Sequence, residues 1–172
     1  PSFVLDSKIP FIPWTILFYY TLYFVFYPLP GFTLPDDKRK EVLILSQTII
    51  AAQVVCVIFF ILLPAEVYIR SQAIDGLVAN PGWYNGMFEL LWKLDTPFNS
   101  WPSLHVCQAG LIAFFTIRWS KEKPLLQWSI AIIWILMSLS ILTTKQHFVW
   151  DLITALLLMF VIWYIQLKPI LD

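Results

Sequence analysis

Five stretches of about twenty residues, nearly free of charge, constrain this chain more than anything else in its sequence. They run from about Pro10 to Tyr27, Leu43 to Leu63, Pro102 to Arg118, Pro124 to Leu142 and His147 to Leu167. At ~1.5 Å rise per residue, helices of this length approach the ~30 Å hydrocarbon core of a bilayer. Several begin beside proline, which suits a first helical turn, where the missing N–H removes no bond. Of the 172 residues 59% are hydrophobic and 13% charged, outside the soluble globular range. The sequence therefore predicts an all-α, polytopic transmembrane helix bundle of five spans, forming one integral-membrane domain over residues 1–172. The first stretch is crowded with Phe, Tyr and Trp and lacks both a basic lead-in and a small-residue cleavage site, so it does not read as a signal peptide.

Charge narrows the partners. Eleven Lys and Arg balance eleven Asp and Glu, so no basic stripe exists to neutralise a nucleic-acid backbone. Cys56 and Cys107 fall inside apolar runs and read as small buried hydrophobes, with no disulfide and no metal-ligand spacing. Between the spans, Lys38, Arg39, Lys40, Arg118, Lys121, Lys123 and Lys168 fall on one face and Lys8, Arg70, Lys93 and Lys145 on the other. By the positive-inside tendency the second face is extracytoplasmic or lumenal. Five crossings put Arg70, the Ser103/His105 segment, Lys145 and His147 on that same face. The long connection over about 65–101 lies there too. Its Trp83, Tyr84, Met87, Phe88, Leu90, Leu91 and Trp92, with few charges, predict a short interfacial helix in the headgroup region. That helix reads either as an aromatic anchor or as part of a route for lipid to reach the site.

The chain has two histidines, each at the opening end of an apolar segment. His147 and Asp151 are four apart, a spacing that places both on one face of a helix and lets the carboxylate reach a ring nitrogen. Asp151 is also an ionisable residue within a span, where such a group is costly enough to be a functional candidate. A carboxylate on one ring nitrogen fixes the tautomer and makes the other a better nucleophile. The ordinary alternative is a pair that simply satisfies itself near the interface. Pro102-Ser103-Leu104-His105 opens a helix whose free N–H groups and positive dipole end suit a phosphate, with Ser103 as a further donor and His105 as a proton source. The alternative there is a helix cap formed by Ser100 or Ser103, with His105 packed at headgroup level. Arg70 and Lys145 read either as snorkelling interfacial cations or as the charge that a transferring phosphoryl group requires. Their convergence on both rings is the test of an active site.

In these residues the chain resembles the type 2 phosphatidic acid phosphatase superfamily of membrane phosphohydrolases and phosphotransferases. That family's pattern is a Lys and an Arg-Pro at a helix end, then Pro-Ser-Gly-His, then Ser-Arg followed by His-x-x-x-Asp. Here Pro102-Ser103-Leu104-His105 stands for the second part, and Ser140-Ile141 through Lys145 and His147 to Asp151 for the third. Arg70 falls where the Arg-Pro belongs. Leu63, Ser71, Leu104 and Ile141 replace the first-motif lysine, the proline, the glycine and the third-motif arginine. Lys145 is a candidate replacement for a missing cation. The leucine and the cation-poor third motif look more like the branch of inositol phosphorylceramide and sphingomyelin synthases.

The resemblance implies a catalytic set of His147 as nucleophile, Asp151 as its orienting partner and His105 as the acid, with Arg70, Ser103 and Lys145 binding phosphate. It implies metal-independent hydrolysis of a phosphorylated membrane lipid through a phosphohistidine, or transfer of a phospho-headgroup to a lipid or sugar hydroxyl, with no cofactor. It also implies a six-helix core. Because the first motif follows the second span and the chain starts at Pro1 rather than Met, the expectation is that an N-terminal span is missing from this sequence. Two other classes stay open on the residues alone: a bis-histidine haem protein, and a scaffold or transporter with a decayed site.

Overall fold

A computed structural model describes residues 2–98 and 100–171; it is helical throughout, with no strand among the described residues. Helices are the expected outcome, because a helix satisfies its backbone hydrogen bonds internally and can therefore cross hydrocarbon. Three helices are long and apolar enough to span a membrane, at Arg39–Leu62, Pro124–Thr143 and Val149–Leu171; shorter apolar segments occupy Pro13–Phe26 and Leu104–Trp119. All five expected stretches are therefore helical. The protein is an all-α membrane bundle.

The elements in chain order are α1 (Val4–Lys8), a first apolar segment containing α2 (Ile16–Tyr19), α3 (Leu29–Thr33), α4 (Arg39–Leu62), α5 (Arg70–Ala79), α6 (Asn85–Leu94), α7 (Leu104–Trp119), α8 (Pro124–Thr143), α9 (Val149–Val161) and α10 (Lys168–Leu171). Two expectations change in detail. The first span is no uniform helix: a 3₁₀ turn at Pro13–Thr15 leads into α2, and a π-helical turn follows at Leu22–Phe26. The connection between α4 and α7 holds two helices rather than one. Of these, α6 is amphipathic, burying Phe88 and Leu91 while Leu90 and Leu94 are exposed.

α7 is the central helix, packed against α4, α8 and α9. Every residue from Val106 to Ala113 is buried. Small side chains permit this: a Cβ at Gly110 would lie 2.0 Å from the Met159 sulfur and 3.1 Å from the Trp134 ring. In a membrane, where hydrocarbon gives helices no hydrophobic reason to associate, such close approach of neighbouring side chains to the α7 backbone supplies packing attraction. It also brings the start of α7 against the first turn of α9, where the Ser103 N–H donates to the Asp151 carbonyl at 3.3 Å.

Candidate active site

His147 lies in the turn between α8 and α9, not on a helix as its spacing from Asp151 predicts. α8 ends at Thr143 and α9 begins at Val149. The reversal is achieved by Lys145, which adopts the left-handed region at φ 59°, uncommon for a residue with a Cβ. The Ile141 carbonyl accepts the N–H groups of both Gln146 and His147, at 3.0 and 3.1 Å. The position expected to carry the third-motif arginine therefore holds a buried apolar side chain and a main-chain anchor for the turn.

The His147 ring is 2% exposed and its tautomer can be read from its neighbours. Nδ1 lies 3.0 Å from the Ser100 carbonyl, which only accepts, so Nδ1 carries the proton. The Asp151 carboxylate is 3.4 Å from the same nitrogen. Its oxygen also accepts the Phe148 N–H at 2.9 Å, which caps α9. Asp151 thus both starts a helix and stands behind the imidazole. Nε2, left with its lone pair, faces the Ser103 hydroxyl at 3.4 Å.

Ser103 occupies the N-cap position of α7, yet its side chain makes no capping bond. The hydroxyl points to His147 instead, and the first N–H groups of a helix have no partner within it. Ser100 donates its own hydroxyl to the Ala65 carbonyl at 3.1 Å. Neither serine caps the helix through its side chain. His105, one residue into α7, faces His147 with ring centroids 5.9 Å apart. Two tyrosines of the first span hold it: Tyr19 lies against the ring at 4.7 Å between centroids, and the Tyr23 hydroxyl is 3.0 Å from Nε2.

The two cations separate. Arg70 begins α5 and is 9% exposed. Its Nη1 donates to the Asp95 carbonyl at 2.9 Å and Nη2 to the Asp95 carboxylate at 3.3 Å, while Nε is buried with no hydrogen-bond partner. Burial pushes the guanidinium below its ordinary range, with Asp95 and Tyr19 opposing. Its partner Asp95 lines one cavity with His105. Lys145 points elsewhere: its ammonium donates to the main-chain carbonyls of Asp6 at 2.8 Å and Ile9 at 2.5 Å. The convergence of both cations on the rings, set above as the test of an active site, therefore fails for Lys145, which is not part of the site. The left-handed turn aims its side chain at the N-terminal segment, where carbonyls replace the water it loses. Leu63, which stands in place of the first-motif lysine, is exposed beyond the end of α4.

Sequence reasoning missed Asp95, Tyr19 and Tyr23, and named Ser100 only as a helix cap. The repeated tyrosines at 19, 20, 23 and 27 are a helical-period signal that was available; the pairing of Arg70 with Asp95 left none, because nothing local links them. Among the described residues no group of three or more His, Cys, Asp or Glu side chains comes together as a metal site.

This arrangement occurs on a chain whose residues 3–165 match the sequence profile of the PAP2 superfamily. The chain belongs to that superfamily. Among curated proteins and solved structures none matches. Membership in the PAP2 superfamily supports a phosphatase-type, lipid-related function in an integral membrane protein, and it covers both histidines, Arg70, Ser103 and Asp151.

Proposed function

We propose that this PAP2 protein hydrolyses a phosphorylated membrane lipid through a phosphohistidine intermediate at the extracytoplasmic face, without a metal. The observation that carries the proposal is the fixed tautomer of His147: Nδ1 donates to Ser100, Asp151 backs it, and Nε2 presents a lone pair beside Ser103. In the first step Nε2 attacks phosphorus and the bond to the lipid oxygen breaks, with His105 giving that oxygen a proton. Water then attacks the phosphohistidine, His105 takes its proton, and phosphate leaves as the N–P bond breaks. The Arg70 guanidinium, the Ser103 hydroxyl and the N–H groups opening α7 hold the phosphate oxygens, where fixed donors act strongly because water is scarce. Asp151 stabilises the imidazolium character that develops on His147.

A second reading has a lipid or sugar hydroxyl in place of water. The burial of His147, Ser103 and Asp151 favours it, since these groups meet little bulk solvent. One assay tests both. Purified protein is given phosphatidic acid, phosphatidylglycerophosphate, polyprenyl diphosphates and phospholipids with sphingolipid acceptors, scoring free phosphate and transferred headgroup. Hydrolysis gives phosphate without transfer, and His147→Ala reduces it about a thousandfold or more. Full activity in that variant overturns the nucleophile assignment.

A further inference from the structure

A cavity of about 310 Å³ opens between the first apolar segment and α6, a volume within the ~300–1,000 Å³ typical of small-molecule sites. Its walls are Tyr23 and Phe24 on one side and Leu90 and Leu94 on the other, and its inner end is formed by Asp95 and His105. The Tyr20 hydroxyl, donating to the Met87 carbonyl at 3.0 Å, ties the two walls together. Polarity is graded along it. At the inner end stand the imidazole of His105, the Tyr23 hydroxyl and the Asp95 carboxylate that pairs with Arg70. At the mouth Phe24 is 75% exposed and Leu94 77%.

An occupant that fits this gradient has a polar, hydrogen-bonding head at one end and hydrocarbon at the other. A soluble phosphate ester gains nothing from the apolar mouth, whereas a hydrocarbon chain passes into it from the bilayer without meeting water. A second apolar groove, about 240 Å³ between Phe59, Trp101, Pro102 and Leu157, is lined by none of the proposed catalytic groups. We propose that the cavity between the first apolar segment and α6 receives one hydrocarbon chain of the lipid sideways from the bilayer, with Tyr23 as the latch at its inner end. The phosphate end of this inference rests on the lipid-phosphate reading above. The Tyr23 hydroxyl occupies His105 Nε2 until the phosphate displaces it, and α6 forms the roof of the route.

The full chain, in phosphatidylcholine nanodiscs, is photolabelled with phosphatidic acid carrying a diazirine in mid-chain. Adducts are expected within residues 20–24 and 90–94, and excess unlabelled phosphatidic acid removes them whereas added phosphatidylcholine does not. The double variant Leu90→Trp/Leu94→Trp, which fills the mouth, lowers this labelling at least fivefold and lowers the kcat/KM preference for dioleoyl over dibutyryl phosphatidic acid at least tenfold. Tyr23→Phe reduces the phosphatidic acid needed for half-competition severalfold; an unchanged or higher value overturns the latch. Labelling confined to residues 59 and 154–158, labelling that phosphatidic acid does not displace, or no labelling overturns the cavity assignment. His147→Ala retains the adduct pattern, so loss of the nucleophile reading through an active His147→Ala leaves the labelling result to be judged separately.

Discussion

Arg70 and Lys145 are the two cations that the sequence offers to a phosphate, and their surroundings differ in kind. From Thr143 to His147 no buried side-chain polar atom lacks a partner among the described residues. Lys145 holds two carbonyls of the N-terminal segment, Asp6 accepts the Val149 N–H at 2.7 Å, and Trp92 donates to Gln146 at 3.3 Å. This region is a clasp, joining α1 to the start of α9. Around Arg70 one N–H of the guanidinium points at nothing, and such a buried orphan costs about 1–3 kcal/mol in a folded chain. Burial of charge is thus common to both cations. The unfilled hydrogen-bonding position distinguishes them.

Exchanging the two roles is the way to break this contrast. The largest effect is expected for Arg70→Lys, which keeps the charge beside Asp95 but loses the planar fork. Its kcat/KM for lipid phosphate falls about a hundredfold, while the melting temperature in detergent, followed by tryptophan fluorescence, changes little. A loss of activity explained by unfolding would make Arg70 another clasp. Lys145→Met should do the reverse. Two carbonyls lose their donor, so stability falls by about 2 kcal/mol, and the folded fraction keeps its kcat/KM within a few-fold. If the folded protein instead loses a hundredfold in rate, Lys145 belongs to the phosphate site after all. Asp6→Ala removes the carboxylate that caps α9 from outside and should cost about 1 kcal/mol, read from the same melting curves.

The smallest expected effect is a pH dependence. Burial holds the Lys145 ammonium below the ordinary lysine value of 10.5, with Asp6 opposing. Between the lowered folded value and the unfolded one, the unfolded chain binds more protons, so stability rises with pH in that window. As pH falls through the folded value the gain is lost. Chemical denaturation of wild type and Lys145→Met at several pH values just below 10.5 isolates the slope, which the variant should lack.

Much of the fold was legible because hydrocarbon imposes one kind of backbone. The apolar runs mark α8 nearly to its ends and the bulk of α4 and α9, and Ser103 with His105 lie where a helix opens. What remained hidden depends on single torsions and distant pairs. A helical spacing of four between His147 and Asp151 survives as proximity, although the imidazole sits in a turn and Asp151 reaches back to cap α9. The direction of Lys145 follows from one left-handed residue that no local pattern announces. Arg70 meets Asp95 across 25 positions, with two short helices between them. Tyr19 and Tyr23 were visible as an aromatic stripe, but their contact with His105 required the packing of the first segment beside α7.

α7 has 16 residues and so is about 24 Å long, some 6 Å short of a typical ~30 Å core. Arg118 and Trp119 at its far end anchor to Glu41, the indole donating at 2.7 Å. In a core of ~30 Å, with that end at one surface, so short a helix would leave His105 below the opposite headgroup plane, and under the phosphohistidine proposal a substrate phosphate would have to sink to meet it. Under that proposal bilayer thickness would act on this protein much as substrate concentration does: a thinner membrane, or one locally pinched around so short a helix, would lower the phosphates towards the histidines.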